Sequence, residues 1–206
     1  MKLIVGLIAL GLAALTTVFA QNTLVSISHA YCAGGGARDV FVGCLFAIAA
    51  IMAAHNGVDV RELFASKAVS AAAVSIAVFP TDCSSDGRAL LHVLSACLMF
   101  ALLAWFCLSF ARRTYEKPHQ VYAARRRIAY TVCGSGIVLC MAGIGAVIIL
   151  KCSSRGNAVF VLEAIALALF GVSWMIASHF LPYFEHRDER RSLRLGTRDQ
   201  GGEGQV

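Results

Sequence analysis

Four titratable residues stand close together between two apolar runs, in the stretch VFPTDCSSDGRALLHVLSAC. Asp82, Asp86, Arg88 and His92 fall within eleven residues. Carboxylate and imidazole groups bind divalent metals and transfer protons, and a carboxylate opposite an arginine forms an ion pair. The chemistry open to this stretch is therefore metal-assisted hydrolysis, proton transfer, ligand binding or a structural latch between helices.

The rest of the chain is too apolar for a water-soluble domain. Its 206 residues are 58% hydrophobic and 15% charged, whereas a soluble domain carries roughly 25% charged residues. An apolar run of about 20 residues crosses a bilayer as a helix, which satisfies its own backbone hydrogen bonds. Six such runs predict an all-α, polytopic transmembrane bundle, and they lie at 3–20, 40–54, 63–80, 90–110, 129–150 and 158–182. In the third run, Lys67 must either extend its charge to the interface or precede the helix.

The positions of the basic residues predict the orientation, because cytoplasmic loops are enriched in Lys and Arg. With the N-terminus inside, 14 of the 18 basic residues are cytoplasmic, and those outside are Arg38, Arg88, Lys151 and Arg155. This pattern predicts an N-in, C-in protein of the cell (inner or plasma) membrane. The net charge of +6 follows from the same pattern, so we expect a lipid bilayer and no nucleic acid as partner.

Two domain-level expectations follow. Residues 1–183 form one six-helix transmembrane domain, and 184–206 form a disordered, basic cytoplasmic tail, because that segment lacks apolar periodicity. The first run also has the basic start and the small residue, Ala20, of a cleavable signal peptide. Its apolar length and the lack of a clean A-x-A motif favour a retained helix.

Polar residues gather at the outer ends of the predicted helices. Arg38 and Asp39 open the second run, where Asp39 is placed as an N-cap. Asp82 lies in the following outside loop, while His92 and Glu163 lie about one helical turn below the surface. An ionisable group inside a span costs about 2.5–3.5 kcal/mol at the centre unless it faces protein or water, so both should point into the bundle. The first outside loop adds polar groups at the same level, among them Ser26 and Ser28.

This layer of Arg38, Asp39, Asp82, His92 and Glu163 is the predicted ligand-binding site, and its chemistry stays open. It could be a latch of ion pairs between helices, or it could bind a lipid headgroup or small molecule. In the alternative, His92, Asp82 and Glu163 hold zinc, and metal-bound water hydrolyses a lipid-like ester or amide, with His92 and Glu163 as catalytic candidates. Because H-x-x-x-H, H-E-x-x-H and C-x-x-C motifs are absent from the sequence, no cofactor is predicted.

The outside loops also contain one cysteine each, Cys32, Cys83 and Cys152. In an oxidising compartment two of them can pair. A Cys83–Cys152 bond would clamp the outer ends of the third and fifth helices and leave Cys32 over. The string CAGGGA (32–37) lacks the context of a phosphate-binding loop and is interpreted as a flexible linker.

Three strings carry a resemblance, namely RDVFVG (38–43), FPTD (79–82) followed by a histidine ten residues on, and LEAIALALFGVSW (162–174). Over most of the chain, to about residue 183, they are similar to a group of uncharacterised bacterial multi-pass membrane proteins. That resemblance implies a polytopic membrane protein without naming a reaction. A more distant likeness is to alkaline-ceramidase-like membrane hydrolases, which hold zinc with Ser, Asp and His side chains. Those proteins have seven helices and a paired-histidine motif in the last one, whereas this chain has six predicted helices and His179 alone there.

Overall fold

The computed structural model describes residues 1–20, 23–79, 88–114, 120–150 and 157–178, and within these ranges the secondary structure is helical. The all-α prediction is therefore confirmed. The helices are α1 (Lys2–Phe19), α2 (Ala30–Ala33), α3 (Gly35–Ala54), α4 (Val60–Val78), α5 (Arg88–Arg113), α6 (Gln120–Ile149) and α7 (Ala158–Ala177). The predicted tail lies outside the described residues.

The six long helices form a closed ring. Each packs on its neighbour in the order α1, α3, α4, α5, α6 and α7, and α7 packs back on α1. The short α2 packs on α3. We call the end of the ring that carries residues 23–33 the outer end, and the end that carries the α3–α4 connection the inner end. In this arrangement α1 closes the ring between α3 and α7.

The outside of the ring is apolar on every long helix, as a lipid-facing surface must be. Large apolar side chains are exposed all around it, for example Leu7, Phe46, Val74, Leu94, Leu139 and Ile165. Within the described ranges, five helices are long and apolar enough to cross a membrane, namely α1, α3, α5, α6 and α7. The sixth, α4, is the predicted third span and begins with charged residues. The protein is accordingly a multi-pass integral membrane protein.

Two facing glycines set the distance between α1 and α7. A Cβ atom added at Gly6 would lie 2.8 Å from the carbonyl oxygen of Gly171, and one added at Gly171 would lie 2.7 Å from the carbonyl oxygen of Gly6. Any larger residue at either position would push the two backbones apart. The close approach of α1 to α7, which closes the ring, therefore requires both glycines.

An aromatic cluster fills the inner half of the ring. The Trp174 side chain is 1% exposed, and its ring centroid lies 5.4 to 6.1 Å from those of Phe106, Phe110 and Phe170. Interplanar angles of 48° to 74° give these pairs the tilted and edge-to-face geometry that aromatic rings favour. The cluster ties α5 to α7 across the ring.

The start of α4 explains how a charged segment belongs to this ring. Asp59 is the N-cap, and its Oδ1 accepts a hydrogen bond from the backbone N–H of Glu62 at 2.7 Å. Glu62 Oε2 in turn accepts from the N–H of Val58, the residue before the N-cap, at 3.0 Å, which makes this a variant of the capping box. Lys67 extends its ammonium group to the carbonyl oxygens of Ala53 and His55 at the end of α3. The expectation that Lys67 extends toward the interface is thus confirmed.

The start of α3 differs from the prediction. Its N-cap is Gly34 with φ +71°, and the helix begins at Gly35, four residues before Asp39. The interpretation of Asp39 as an N-cap is therefore wrong, and so is that of CAGGGA as a flexible linker. The physical reason is that Gly34 adopts a positive φ, which reverses the chain sharply and lets α3 start directly after α2.

Candidate functional site

A cavity of about 370 Å³ lies in the outer half of the ring. Every long helix contributes to its wall, which is mostly apolar, with Leu12, Phe41, Ile76, Phe100, Met141 and Leu167 among the residues that line it. Its polar side chains are Ser26, Ser28, His92 and Glu163. The cavity therefore unites two of the predicted site residues with the loop before α2.

Glu163 belongs to the second turn of α7 and binds that loop. Its Oε2 accepts a hydrogen bond from the backbone N–H of Ile27 at 2.6 Å. The N–H of Phe160, one turn earlier, donates to the carbonyl of Val25 at 3.1 Å. These bonds lay the loop across the start of α7, with Ile27 only 3% exposed. Glu163 itself is partly exposed, toward the cavity that it lines.

Two serines of the same loop stand beside this carboxyl group in the cavity wall. Ser26 Oγ and Ser28 Oγ are 3.1 Å apart, within hydrogen-bond distance. Ser26 Oγ also accepts from the backbone N–H of His29 at 3.1 Å. This side of the wall thus presents hydroxyl and carboxyl oxygens, of which those of Glu163 and Ser26 are held by backbone hydrogen bonds.

His92, on the second turn of α5, is 3% exposed and bonds to the end of α4. Its Nδ1 lies 2.8 Å from the carbonyl oxygen of Phe79, and because a carbonyl can only accept, Nδ1 carries the proton. One turn further along α5, Ser95 Oγ donates to Ser75 Oγ of α4 at 2.7 Å. His92 thus joins α5 to α4 through a hydrogen bond rather than through an ion pair, and it also lines the cavity.

The remaining members of the predicted layer lie elsewhere. Arg38 is exposed, with its guanidinium 4.6 Å from the ring centroid of Tyr31. Asp39 is exposed on α3, and neither residue is among those that line the cavity. Asp82 lies outside the described residues. The structure therefore unites His92 and Glu163 and separates both from Arg38 and Asp39.

Part of the cavity wall, formed by the outer halves of α5 and α6, is exposed. Val93 and Ile148 both line it, and they are 52% and 64% exposed. Gly145 also lines it, and a Cβ atom added there would meet no heavy atom within 4 Å. The exposed outer surface of these helices is apolar, so this part of the cavity wall borders the surface expected to face lipid.

Metal binding was the alternative prediction for this layer. Over the described ranges, no three His, Cys, Asp or Glu side chains gather closely enough to hold a metal ion. Asp82, the third member of the predicted zinc set, lies outside these ranges. Zinc therefore stays a prediction.

A second polar cluster, at the inner end, was missed from the sequence. Glu62 is 2% exposed and forms an ion pair with Arg113 at the end of α5, whose Nη1 donates to Glu62 Oε2 at 3.1 Å. Beside it, the His55 ring lies 5.6 Å from Trp174 and 6.5 Å from Phe106. The D-x-x-E spacing of a capping box was the signal that could have located Glu62.

One cysteine of the outer loops, Cys32, lies within the described residues. Cys32 is disulfide-bonded, so the pairing that would leave Cys32 over is wrong. Among the described residues, Cys44, Cys97, Cys107, Cys133 and Cys140 are free. The partner of Cys32 therefore lies outside the described residues. A disulfide at the outer end fits an oxidising compartment on that side.

Comparisons with protein-family models, with curated proteins and with solved structures gave no match. The class of this protein therefore rests on its own fold and composition, which define a multi-pass membrane protein with a mostly apolar cavity in its outer half.

We expect His92→Ala to destabilise the fold, because it leaves the buried carbonyl of Phe79 without its donor, at a cost of about 1–3 kcal/mol. His92→Asn is the matched control, since an asparagine amide can donate to the same carbonyl. The measurement is the thermal midpoint of the detergent-solubilised protein. Equal midpoints for the wild type and both variants would contradict the latch.

We also expect acid to destabilise the inner end through His55. Burial lowers the pKa of His55 first, Lys2, Lys67 and Arg113 lower it further, and Glu62 acts in the opposite direction. The unfolded chain then binds a proton more readily than the folded one, so stability falls as pH drops below about 6.5 toward the lower folded-state pKa.

His55→Phe keeps the aromatic contacts and removes this titration. The thermal midpoint of the variant should therefore fall less than that of the wild type between about pH 7 and about pH 5. An equal fall in the thermal midpoint of both proteins would show that His55 does not contribute to the loss of stability in acid.

Proposed function

We propose that this protein binds a lipid-like amphiphile, which enters the cavity from the bilayer between α5 and α6. The observation that carries the proposal is the form of the cavity, an apolar chamber with one polar side and with wall residues, Val93 and Ile148, that are also exposed on the apolar outer surface. An amphiphile has the matching form, since its chain is apolar and its head is polar.

The cavity is large enough for a small ligand or for part of a larger one. Its volume of about 370 Å³ lies in the range of roughly 300–1,000 Å³ that small-molecule pockets occupy. Such pockets are mostly apolar and carry a few placed polar groups that fix orientation. Glu163, Ser26 and Ser28 are groups of this kind, because backbone hydrogen bonds hold Glu163 and Ser26 and the hydroxyl of Ser28 lies against that of Ser26.

The inner half of the ring is filled by side chains, which restricts the proposed binding to the outer half. Trp174, Phe106 and Phe170, each no more than 1% exposed, fill the space below the cavity. The Glu62–Arg113 ion pair lies beyond them at the inner end. A ligand that entered from the lipid would therefore stay at the level of Glu163 and His92.

Gly145→Leu tests this proposal by filling the cavity. The added Cβ meets no heavy atom within 4 Å, so the helix accepts the side chain. If the leucine displaces about two ligand methylene groups at ~0.8 kcal/mol each, affinity falls roughly tenfold. The measurement is retention of decanol by the detergent-purified protein, read by native mass spectrometry.

Gly43→Leu is the matched control. Gly43 is exposed on α3, away from the cavity, and a Cβ atom added there also meets no heavy atom within 4 Å. It should retain decanol like the wild type. Equal retention by both leucine variants would mean that decanol binds elsewhere, and the proposal would fail.

A further inference from the structure

Among the described residues, the cavity wall contains an acidic side chain but neither Lys nor Arg. The acidic side chain is that of Glu163. Arg38, the cation of the predicted layer, is exposed and lies against Tyr31. Within the described part of the chain, Glu163 therefore has a backbone donor, Ile27, but no cationic partner.

A carboxylate in an apolar wall is costly to desolvate unless it is paired or hydrogen-bonded. The N–H of Ile27 occupies Oε2 and leaves Oε1 for a further donor. Ser26 and Ser28 present hydroxyl oxygens in the same wall. A group with several donors and a positive charge, such as a primary ammonium, would satisfy this set of acceptors best.

The same set disfavours an anion. A carboxylate or phosphate head placed here would meet the carboxyl group of Glu163 without a Lys or Arg from the described wall to offset its own charge. Like charges in a low-dielectric site repel strongly, whereas a close pair of opposite charges is stabilised. The wall therefore distinguishes amphiphiles by the sign of the head, while the apolar chamber accepts the chain of each.

We infer that the cavity selects amphiphiles with a cationic amine head over neutral and anionic ones, and that Glu163 binds this head. This inference rests on the proposed function, because the apolar chain of the amphiphile must occupy the cavity. Glu163 is then a residue that determines specificity, and His92 is a structural neighbour that holds the α4–α5 wall in place.

Competition between three amphiphiles of equal chain length tests this inference. Decylamine, decanol and decanoate are offered together to the detergent-purified full-length protein at neutral pH, and native mass spectrometry reads the bound fraction of each. We expect decylamine to be enriched over decanoate in the wild type. In Glu163→Gln that ratio should fall by roughly tenfold or more, the lower limit measured for close charge pairs.

Glu163→Gln keeps an oxygen that accepts from Ile27, so the loop stays attached. Asp39→Asn is the matched control, because it removes the same charge from an exposed position at the outer end, away from the cavity. It should leave the ratio at the wild-type value, whereas an effect as large as that of Glu163→Gln would place the selection on the surface.

Two outcomes would overturn the inference, and they differ from failure of the proposed function. If decylamine and decanoate bind equally to the wild type, or if Glu163→Gln leaves their ratio unchanged, Glu163 does not select charge. The wild-type result alone decides the first of these, whatever the stability of the variant. If none of the three amphiphiles binds, the proposed function itself is wrong.

Discussion

The contact between Gly6 and Gly171 is the constraint on which the rest of this structure depends. Each glycine lies where a side chain would strike the other backbone. Without a hydrophobic drive between helices in lipid, such close backbone packing is a principal means of holding them together. The contact brings α1 onto α7 and closes the ring. The outer cavity exists because six helices surround it, so its walls depend on this closure.

The two ends of the ring use polar groups in different ways. At the inner end, Glu62 is bound by Arg113 and by the capping box of α4, and aromatic rings fill the space beside it. Its charge is therefore neutralised within the protein. At the outer end, Glu163 holds the N–H of Ile27 and faces an apolar cavity. The contrast explains why we assign a structural role to the inner carboxylate and a ligand to the outer one.

Several features could be predicted from the sequence because they depend on local composition and on depth in the membrane. Apolar length located all six long helices, and the cost of an ionisable group in a span placed His92 and Glu163 inside the bundle, where they line one cavity. The same reasoning applied to Lys67, because its flexible side chain reaches a carbonyl oxygen at the end of α3. These arguments need only the residue type and its position along a helix.

Other features depended on backbone conformation or on distant contacts. The start of α3 was misplaced because it depends on the positive φ of Gly34, which composition does not reveal. Arg38 and Asp39 consequently lie on an exposed face of the helix. The partner of Glu163 is a backbone N–H 136 residues away, and Glu62 meets Arg113 across 51 residues. A single sequence contains no direct signal for such pairs.

An experimental density map of the protein in lipid nanodiscs, at a resolution that separates side chains, would test the central claim most directly. The account predicts elongated density that enters between Val93 and Ile148, with its polar end within hydrogen-bond distance of Glu163. A map in which side chains close the space between α5 and α6, or in which ordered water alone fills it, would contradict the account.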